Sequence, residues 1–401
     1  MPFEPGNTEK RGNRRKSPIK ILQKPWIYLV AGVIAVALVV GILFLVFGSD
    51  DSETPQTAHP DDTVIHLAAA GDLTVTDGVV ESGTADYDYT QTFMDVGYLL
   101  GKADISVLNF EGNLVGAPYG TKYASAPNSL MQALDAVGVD LIQLANSYSI
   151  YNGMSGLRST IEGVRGAGME PLGVYPDGDA FRKSGGYTIC DVKGVRIAFV
   201  AFTKGMDGMT LPDGMESCVN VLYTDYNSGY QQVDTEKIDR IMDNVEEAEP
   251  DLVVAMVHWG SEFNNTISTS QNKICEQLQE RGVDAIIGTH SHYVQAMTLE
   301  DGKFVAYSLG DFYSEPSRSG SEYSVVLDLE ITKSAATGKT RITDFSYTPI
   351  YRDNSGNKLQ LMRLDAIVAA YEGNYLDKVS KETYESLLIA RDSIKSRIET
   401  K

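Results

Sequence analysis

Short apolar runs alternate with helical patterns through much of the chain, and this alternation limits the fold more than any other feature of the sequence. The predicted strands in this part are residues 64–70, 105–110, 141–145, 187–192, 195–202, 252–257, 285–287 and 304–309. The predicted helices between them are residues 129–137, 155–167, 235–248 and 270–282. Gly138, Gly168 and Gly282 stand where helix C-caps are expected, each shortly before a new apolar run. A strand–helix–strand rhythm of this kind predicts a layered α/β domain.

The carboxyl-terminal part of the chain adds a hairpin and a helix to this pattern. Two further apolar runs, 323–331 and 340–347, predict a hairpin that turns at residues 335–338. Residues 380–399 predict an amphipathic helix. Its apolar side is formed by Tyr384, Leu387, Leu388, Ile394 and Ile398. We therefore assign residues 64–350 to one domain and residues 351–401 to a helical extension.

The amino end of the chain predicts a membrane anchor. Its seven basic side chains are Lys10, Arg11, Arg14, Arg15, Lys16, Lys20 and Lys24. The apolar stretch at residues 26–47 that follows matches the length of about 20 residues that a helix needs to cross a bilayer. We predict a basic cytoplasmic tail at 1–25, a single transmembrane helix at 26–48, a disordered polar tether at 49–63 and an extracellular remainder. A cleaved signal peptide is the alternative, although its apolar core normally has only about 7–15 residues.

The charge of the chain argues against one class of partner. The whole sequence has a net charge of −20, and residues 1–25 hold seven basic and two acidic side chains, so the remainder carries −25. A surface this acidic argues against nucleic acid as a partner. The three cysteines cannot form a full disulfide framework, so the fold depends on its apolar core.

Histidines and carboxylates stand at the ends of several predicted strands. Asp72 and Glu111 close the runs that begin at residues 64 and 105, and His258 directly follows the run at 252–257. His290 and His292 come shortly after the run at 285–287. In α/β sheets, the carboxyl ends of strands are where ligands are bound. The pattern therefore predicts a divalent-metal site at these strand ends, with two ions.

Six short motifs occur in order along residues 64–315. They are Gly71-Asp72, Asn109-Phe110-Glu111-Gly112, Leu144-Ala145-Asn146, His258-Trp259-Gly260-Ser261-Glu262, Gly288-Thr289-His290-Ser291-His292 and Tyr307-Ser308-Leu309-Gly310-Asp311-Phe312. In order and spacing, this set resembles the CapA family of poly-γ-glutamate capsule biosynthesis proteins. The resemblance implies a fold like that of the calcineurin-like metallophosphoesterases, a four-layer sandwich of two mixed β-sheets flanked by helices. It also implies an amino-terminal anchor and an outward-facing domain.

The resemblance implies a role for each matched side chain. One or two divalent ions would be bound by Asp72, Glu111, His258, His290 and His292. Glu111 would bridge the ions, and carboxylates with imidazoles suit Mn, Mg, Fe or Zn. The supporting or substrate-contacting positions would be Asn146, Ser147, Trp259, Glu262 and Asp311. Trp259 is expected to wall the site.

Four positions depart from the family pattern. Ser147 stands where the family has a metal-binding Asn, and Tyr148 stands where it has a His that protonates a leaving oxygen or positions the substrate. Tyr151 replaces an acid, and Asp311 replaces an Asn. Because an unperturbed tyrosine has a pKa of about 10, Tyr148 is a poor acid–base group at neutral pH. The sequence predicts a partly degenerate metal site, with Tyr148 as the candidate catalytic residue.

Three functions remain open from the sequence. The first is a membrane-anchored protein for the biosynthesis or export of a poly-γ-glutamate-type surface polymer, working beside capsule synthase or export subunits. The second is an active metal-dependent ecto-phosphoesterase or hydrolase, which the histidine motifs favour and Ser147 and Tyr148 oppose. The third is a non-catalytic surface binding domain. The expected partners are the membrane and an anionic surface polymer.

Overall fold

The computed structural model describes residues 61–354, 358–374 and 380–399 of the chain. The predicted cytoplasmic tail, the predicted transmembrane helix at 26–48 and residues 49–60 of the predicted tether lie outside these ranges. Within them, no helix combines the length and the apolar character that a membrane span requires.

The described residues largely alternate between strands and helices as far as Ala285–Thr289, which is the first of seven successive strands before the last two helices. The strands are Thr63–Thr74 (β1), Ile105–Glu111 (β2), Leu141–Gln143 (β3), Glu170–Leu172 (β4), Thr188–Val192 (β5), Val195–Thr203 (β6), Leu252–His258 (β7), Ala285–Thr289 (β8), Met297–Glu300 (β9), Lys303–Ala306 (β10), Asp311–Tyr313 (β11), Tyr323–Lys333 (β12), Thr340–Asp353 (β13) and Gln360–Arg363 (β14). The α-helices are Asp77–Ser82 (α1), Met94–Gly101 (α2), Asn128–Ala136 (α3), Gly153–Gly166 (α4), Gly178–Ser184 (α5), Thr235–Glu247 (α6), Thr269–Glu280 (α7), Leu364–Glu372 (α8) and Lys381–Ile398 (α9).

These strands build two sheets, and both contain parallel and antiparallel neighbours. The larger sheet has the order β14-β13-β12-β1-β2-β3-β4, and β11 also pairs with β1. Its strands β1 to β4 are parallel, whereas β12, β13 and β14 join through antiparallel pairs. The smaller sheet has the order β5-β6-β7-β8-β10-β9, with β6, β7, β8 and β10 parallel. The predicted mixed α/β fold with two mixed sheets is therefore confirmed.

The central strands of the smaller sheet are buried on both faces, which explains why they read as nearly continuous apolar runs. Along β6, Ile197 and Phe199 belong to the core shared with the larger sheet. The alternate residues Val200 and Phe202 belong to a second core, which includes side chains from α6 and α7. Successive side chains of a strand point to opposite faces, so one strand supplies both cores.

Most of the predicted elements are confirmed, including the hairpin that β12 and β13 form. Gly138, Gly168 and Gly282 have φ angles of 89°, 105° and 92°, in the left-handed region that ends helices. The strand at 141–145 is shorter than predicted and ends at Gln143. Strand β4 and helix α1 are among the elements that were not predicted, because elements of three and six residues are too short to show a hydrophobic period.

Candidate metal centre

Both sheets direct the carboxyl ends of their parallel strands toward one place. In the larger sheet, the register of β1 and β2 places Asp72 opposite Asn109. In the smaller sheet, the register of β7 and β8 places His258 opposite Thr289. Because neighbouring parallel strands end at the same edge, side chains that are distant in sequence meet there.

A close backbone approach sets the position of Asp72. A Cβ on Gly71 would lie 1.7 Å from the carbonyl oxygen of Gly310, so only glycine fits at position 71. The amide of Asp72 donates to that same carbonyl at 3.1 Å. This contact pairs Asp72 with Asp311 across β1 and β11.

Glu111, His258 and His290 form one buried set of possible ligands, which we call the glutamate group. Their ligand atoms all lie within 4.8 Å of one another. His258 Nδ1 is 3.4 Å from Glu111 Oε1, and the rings of His258 and His290 have centroids 4.4 Å apart. Ser147 lies beside this group, with its Oγ 3.2 Å from His258 Nε2.

Asp72, His292 and Asp311 form a second set, which we call the aspartate group. Their ligand atoms also lie within 4.8 Å of one another. His292 Nδ1 is 2.6 Å from Asp311 Oδ1 and 3.8 Å from Asp72 Oδ2. Asp311 was predicted to be a supporting residue, whereas in the structure its carboxylate is one of the possible ligands of this group.

Buried amides connect the two groups. Asn109 Nδ2 donates to Asp72 Oδ1 at 2.6 Å and lies 3.3 Å from Glu111 Oε1. Asn146 Nδ2 donates in turn to Asn109 Oδ1 at 2.9 Å, and Thr74 Oγ1 donates to Glu111 Oε2 at 2.9 Å. These bonds fix both carboxylates, so the groups are preorganised neighbours.

The loop after β8 has an unusual backbone at both of its histidines. His290 and His292 have φ angles of 89° and 59°, a region that side chains other than glycine rarely adopt. The amide of His290 donates to Asp72 Oδ2 at 3.0 Å, which helps to hold this conformation. Strained residues of this kind cluster at functional sites. The strain directs one histidine to each group.

In the glutamate group, the surroundings favour the neutral form of the two imidazoles and the protonated form of the carboxyl. Burial holds the pKa of His258 well below its usual range, and burial with the nearby Lys204 lowers the pKa of His290 to about 3. Burial and the neighbouring Asp72 raise the pKa of Glu111 well above its usual range. Neutral imidazole is the form of histidine that binds a metal ion.

The aspartate group is more strongly charged. Burial lowers the pKa of His292, but Asp311, Glu262 and Glu111 together outweigh it and raise that pKa well above its usual range. His292 and Arg352 together outweigh burial at Asp311, so the pKa of that carboxyl is lowered. Burial raises the pKa of Asp72 to about 6.

The donor sets fit divalent metal ions. Each group supplies imidazole nitrogen together with carboxylate oxygen, a mixture typical of sites for Zn, Mn and Fe. The second nitrogens and oxygens are held by Thr289, Ser314, Asn109 and Thr74, as expected for ligands that are fixed by outer contacts. All five predicted ligands lie in one or other of the two groups.

The predicted supporting residues lie in different places. Asn146 is part of the amide connection, and Glu262 lies at the exposed rim with its Oε1 3.9 Å from His292 Nε2. Tyr148 is partly buried, and burial together with Glu111 raises its pKa. Trp259 does not wall the site, because its ring is packed in the core between the smaller sheet and α6 and α7. Its indole N–H donates to the carbonyl of Tyr307 at 2.9 Å.

Three residues at this site carried no predicted role: Asn109, Lys204 and Arg352. Lys204 directly follows β6, and its Nζ lies 3.2 Å from His290 Nε2. A search for chemically active side chains just after every predicted strand would have identified Lys204, which follows the run at 195–202. Asn109 lies inside the run at 105–110, so such a search would not have found it. Arg352 is fully buried, with Nη2 3.5 Å from Asp311 Oδ2, and its position late in β13 gives no local signal.

Two proteins that are similar to this chain are named for PGA or capsule biosynthesis. It is 22% identical over 349 residues to the "PGA biosynthesis protein CapA" of Bacillus subtilis, an alignment that covers 82% of this chain and 86% of that protein. It is 26% identical over 195 residues to the "Capsule biosynthesis protein CapA" of Bacillus anthracis, covering 47% of this chain and 44% of that protein.

Solved structures and a family description also match the chain. A phosphatase from Mycoplasma pneumoniae aligns with a TM-score of 0.45 at 13% identity, covering 73% of this chain and 96% of the phosphatase. A 5′-nucleotidase from Candida albicans aligns with a TM-score of 0.42 at 13% identity, covering 85% of this chain and 59% of that protein. Residues 66–316 match the family described as "Bacterial capsule synthesis protein PGA_cap". Because that match covers more than half of the sequence and includes every predicted ligand, the chain belongs to the bacterial capsule synthesis protein family.

Proposed function

We propose that this chain is a membrane-anchored, outward-facing protein for the biosynthesis or export of a surface polymer of the poly-γ-glutamate type, with a divalent-metal centre in its extracellular domain. One observation carries the proposal. A chain of the capsule synthesis family brings the glutamate group and the aspartate group together at one edge of its two sheets. The relative in Bacillus subtilis is named for PGA biosynthesis and aligns over most of its length.

The anchor and the orientation rest on the amino-terminal sequence. Residues 10–24 carry seven basic side chains, and residues 26–48 carry no charged side chain. Basic residues flank the cytoplasmic side of membrane helices, so the domain from residue 64 would lie outside the cell. A domain held there meets the polymer as it is exported, beside capsule synthase or export subunits.

The metal centre would use both ligand groups of a metallophosphoesterase-like, four-layer sandwich. Glu111, His258 and His290 would hold one ion, and Asp72, His292 and Asp311 a second. Bound ions would supply Lewis acidity and polarise a substrate oxygen. The chain's own residues position the ligands: Asn109 donates hydrogen bonds to the buried carboxylates of Asp72 and Glu111.

A non-catalytic binding domain is the second candidate, and the residues beside His258 favour it. Ser147 Oγ is a neutral and weak ligand at the position next to the glutamate group. Tyr148 has its pKa raised by burial and by Glu111, so its hydroxyl stays protonated at neutral pH. A protonated phenol can donate a hydrogen bond to substrate, but it is a poor source of protons for a leaving group.

The double variant Ser147→Asn/Tyr148→His separates the hydrolase from the binding domain. We expect it to raise the hydrolysis of a chromogenic phosphate diester by about 10²-fold, since a positioned acid–base group commonly contributes about 10²–10⁴-fold. The rate would be measured on the purified full chain with added Mn²⁺. An unchanged rate, with metal content unaltered, would favour the binding domain. The control is the same pair in a His290→Ala background, where the gain should vanish.

The polymer-biosynthesis role is tested by its partners. The full chain, affinity-tagged at its carboxyl end and extracted from membranes in mild detergent, is expected to copurify with subunits of a capsule synthase or exporter. A chain that begins at residue 61 should leave the membrane fraction and recover fewer of these subunits. Equal recovery by both forms would contradict a role for the anchor, and recovery of none by either form would contradict the assembly itself.

A further inference from the structure

Lys204 lies at the edge of the metal centre, where none of the predicted roles uses it. Its Nζ is 2.9 Å from the carbonyl oxygen of Gly260 and 3.2 Å from His290 Nε2. The ammonium also lies 4.7 Å from the centre of the Tyr230 ring. We propose that Lys204 binds an anionic oxygen of the substrate at the metal centre. This inference rests on the proposed metal-binding function and names the charge of its substrate.

The hydrogen-bond inventory of Lys204 leaves one donor unused. A lysine ammonium has three N–H donors, and in the structure two of them face the Gly260 carbonyl and His290 Nε2. Both of these acceptors are neutral. Ligation of a metal by neutral His290 would release the donor that faces it, because a neutral imidazole has only one acceptor nitrogen. Among residues 61–354, 358–374 and 380–399, no carboxylate oxygen lies within 4.0 Å of Lys204 Nζ. Glu262 and Asp207 are the acidic side chains that act on it from farther away. Lys204 therefore has at least one N–H donor for a further acceptor.

The neighbouring cation at this site is already neutralised. Arg352 is fully buried and pairs with Asp311, so its charge is taken up inside the protein. Lys204 is only partly buried, and the ring of Tyr230 supports its side chain. A cation held on an aromatic face beside a metal centre is kept in place without a carboxylate partner.

Because the chain is strongly acidic, the positive charge of Lys204 bears on how an anionic substrate could bind. The sequence carries −20, so an anionic substrate would be repelled by most of the surface. Metal ions and Lys204 together would create a local region of opposite sign at the strand ends. An ammonium is a compact point charge with rotatable donors, so it suits either a phosphate or a carboxylate oxygen.

Binding of two anions to the full chain tests the proposal. The probes are inorganic phosphate and, in a separate arm, glutamate, each titrated calorimetrically into Mn²⁺-treated protein. Lys204→Met is expected to weaken the binding of at least one anion by about tenfold or more, because a charge-assisted hydrogen bond is lost. Lys204→Arg, which keeps the positive charge, should restore part of that affinity. The arm that responds distinguishes a phosphate from a carboxylate substrate.

Lys237 provides a matched control, because its Nζ also donates to two backbone carbonyls, those of Glu216 and Val219. Lys237→Met should leave anion affinity unchanged. Equal weakening in both variants, no weakening in Lys204→Met, or no anion binding by the wild type would overturn the proposal. Metal content measured on the same samples keeps the two ideas apart. Lys204-dependent anion binding without any metal would contradict the proposed metal centre and leave the role of Lys204 standing.

Discussion

The double variant His290→Ala/His292→Ala is expected to lose the divalent metal that the wild-type chain binds. It removes one imidazole from the glutamate group and one from the aspartate group. Loss of a residue that merely supports a ligand typically costs about 10–100-fold in metal affinity, so losing two ligands should cost more than about 100-fold. Elemental analysis of the purified full chain, after incubation with Mn²⁺ or Zn²⁺, measures the effect.

His66 supplies the control for this experiment. Its Nδ1 lies 2.9 Å from Asp328 Oδ1, away from both ligand groups, and the sequence analysis gave it no site role. His66→Ala should keep the full metal content. The single variant His290→Ala leaves the contact between His292 and Asp311 intact. It serves as a second control, in case the double variant loses metal only because it fails to fold. Bound metal in the double variant, or no bound metal in the wild type, would contradict the proposed metal centre.

The same metal affinity should depend on pH. Burial raises the pKa of Asp72 to about 6 and the pKa of Glu111 well above its usual range. Both carboxyls must lose their protons to ligate, so protons compete with the metal. Protonation of Asp72 alone is expected to lower the affinity by up to about tenfold per pH unit below pH 6, and the protons held by Glu111 and His292 add to this fall. Affinities that match at pH 5 and pH 7 would contradict ligation by Asp72.

Replacing Arg352 by Met is expected to cause the largest loss of stability at this site. The guanidinium is fully buried beside Asp311, with Nη2 3.5 Å from Oδ2. The variant leaves a buried carboxylate with His292 as its remaining charged partner. Breaking a buried ion pair on one side commonly costs about 3–5 kcal/mol. Urea unfolding of the full chain, followed by circular dichroism at pH 7, measures this free energy.

A second substitution tests whether charge is the cause. The double variant Asp311→Asn/Arg352→Met removes both charges, and its amide can still face His292. It should lose less stability than Arg352→Met alone, because no unpaired carboxylate stays buried. A double variant less stable than Arg352→Met would show that side-chain volume, rather than charge, holds Arg352 in place.

Much of the fold follows from local patterns. The run at 252–257 is apolar throughout, and the run at 195–202 is apolar except for the exposed Arg196. They form β6 and β7 because both of their faces are covered. Helix α6 shows apolar side chains with a helical period, and Ile238, Ile241 and Val245 are buried on that face. Very short elements such as β4 carry no such period, and they form only because neighbouring strands pair with them.

The residues of the candidate site were predictable where a carboxylate or a histidine follows a predicted strand. Asp72, Glu111, His258, His290 and His292 all follow apolar runs, and the structure brings all five together. The division into two groups was not predictable, because it depends on the backbone of His290 and His292 in the left-handed region. The role of Asp311 also needed the structure, since its contacts reach His292 and Arg352 from another part of the chain.

By itself, the sequence determined the alternation of strands and helices, the family and the residue types at the strand ends. The alternation and the residue types depend on neighbours in the chain, whose side-chain period and composition are local properties. The family follows from the order and spacing of short motifs along the sequence. Only the tertiary structure decided which strand ends meet, how the ligands divide and which cations accompany them. Lys204 and Arg352 reach the site through contacts with His290 and Asp311, 86 and 41 residues away in the sequence. Such pairings arise from the order of strands in the two sheets, which no local pattern contains.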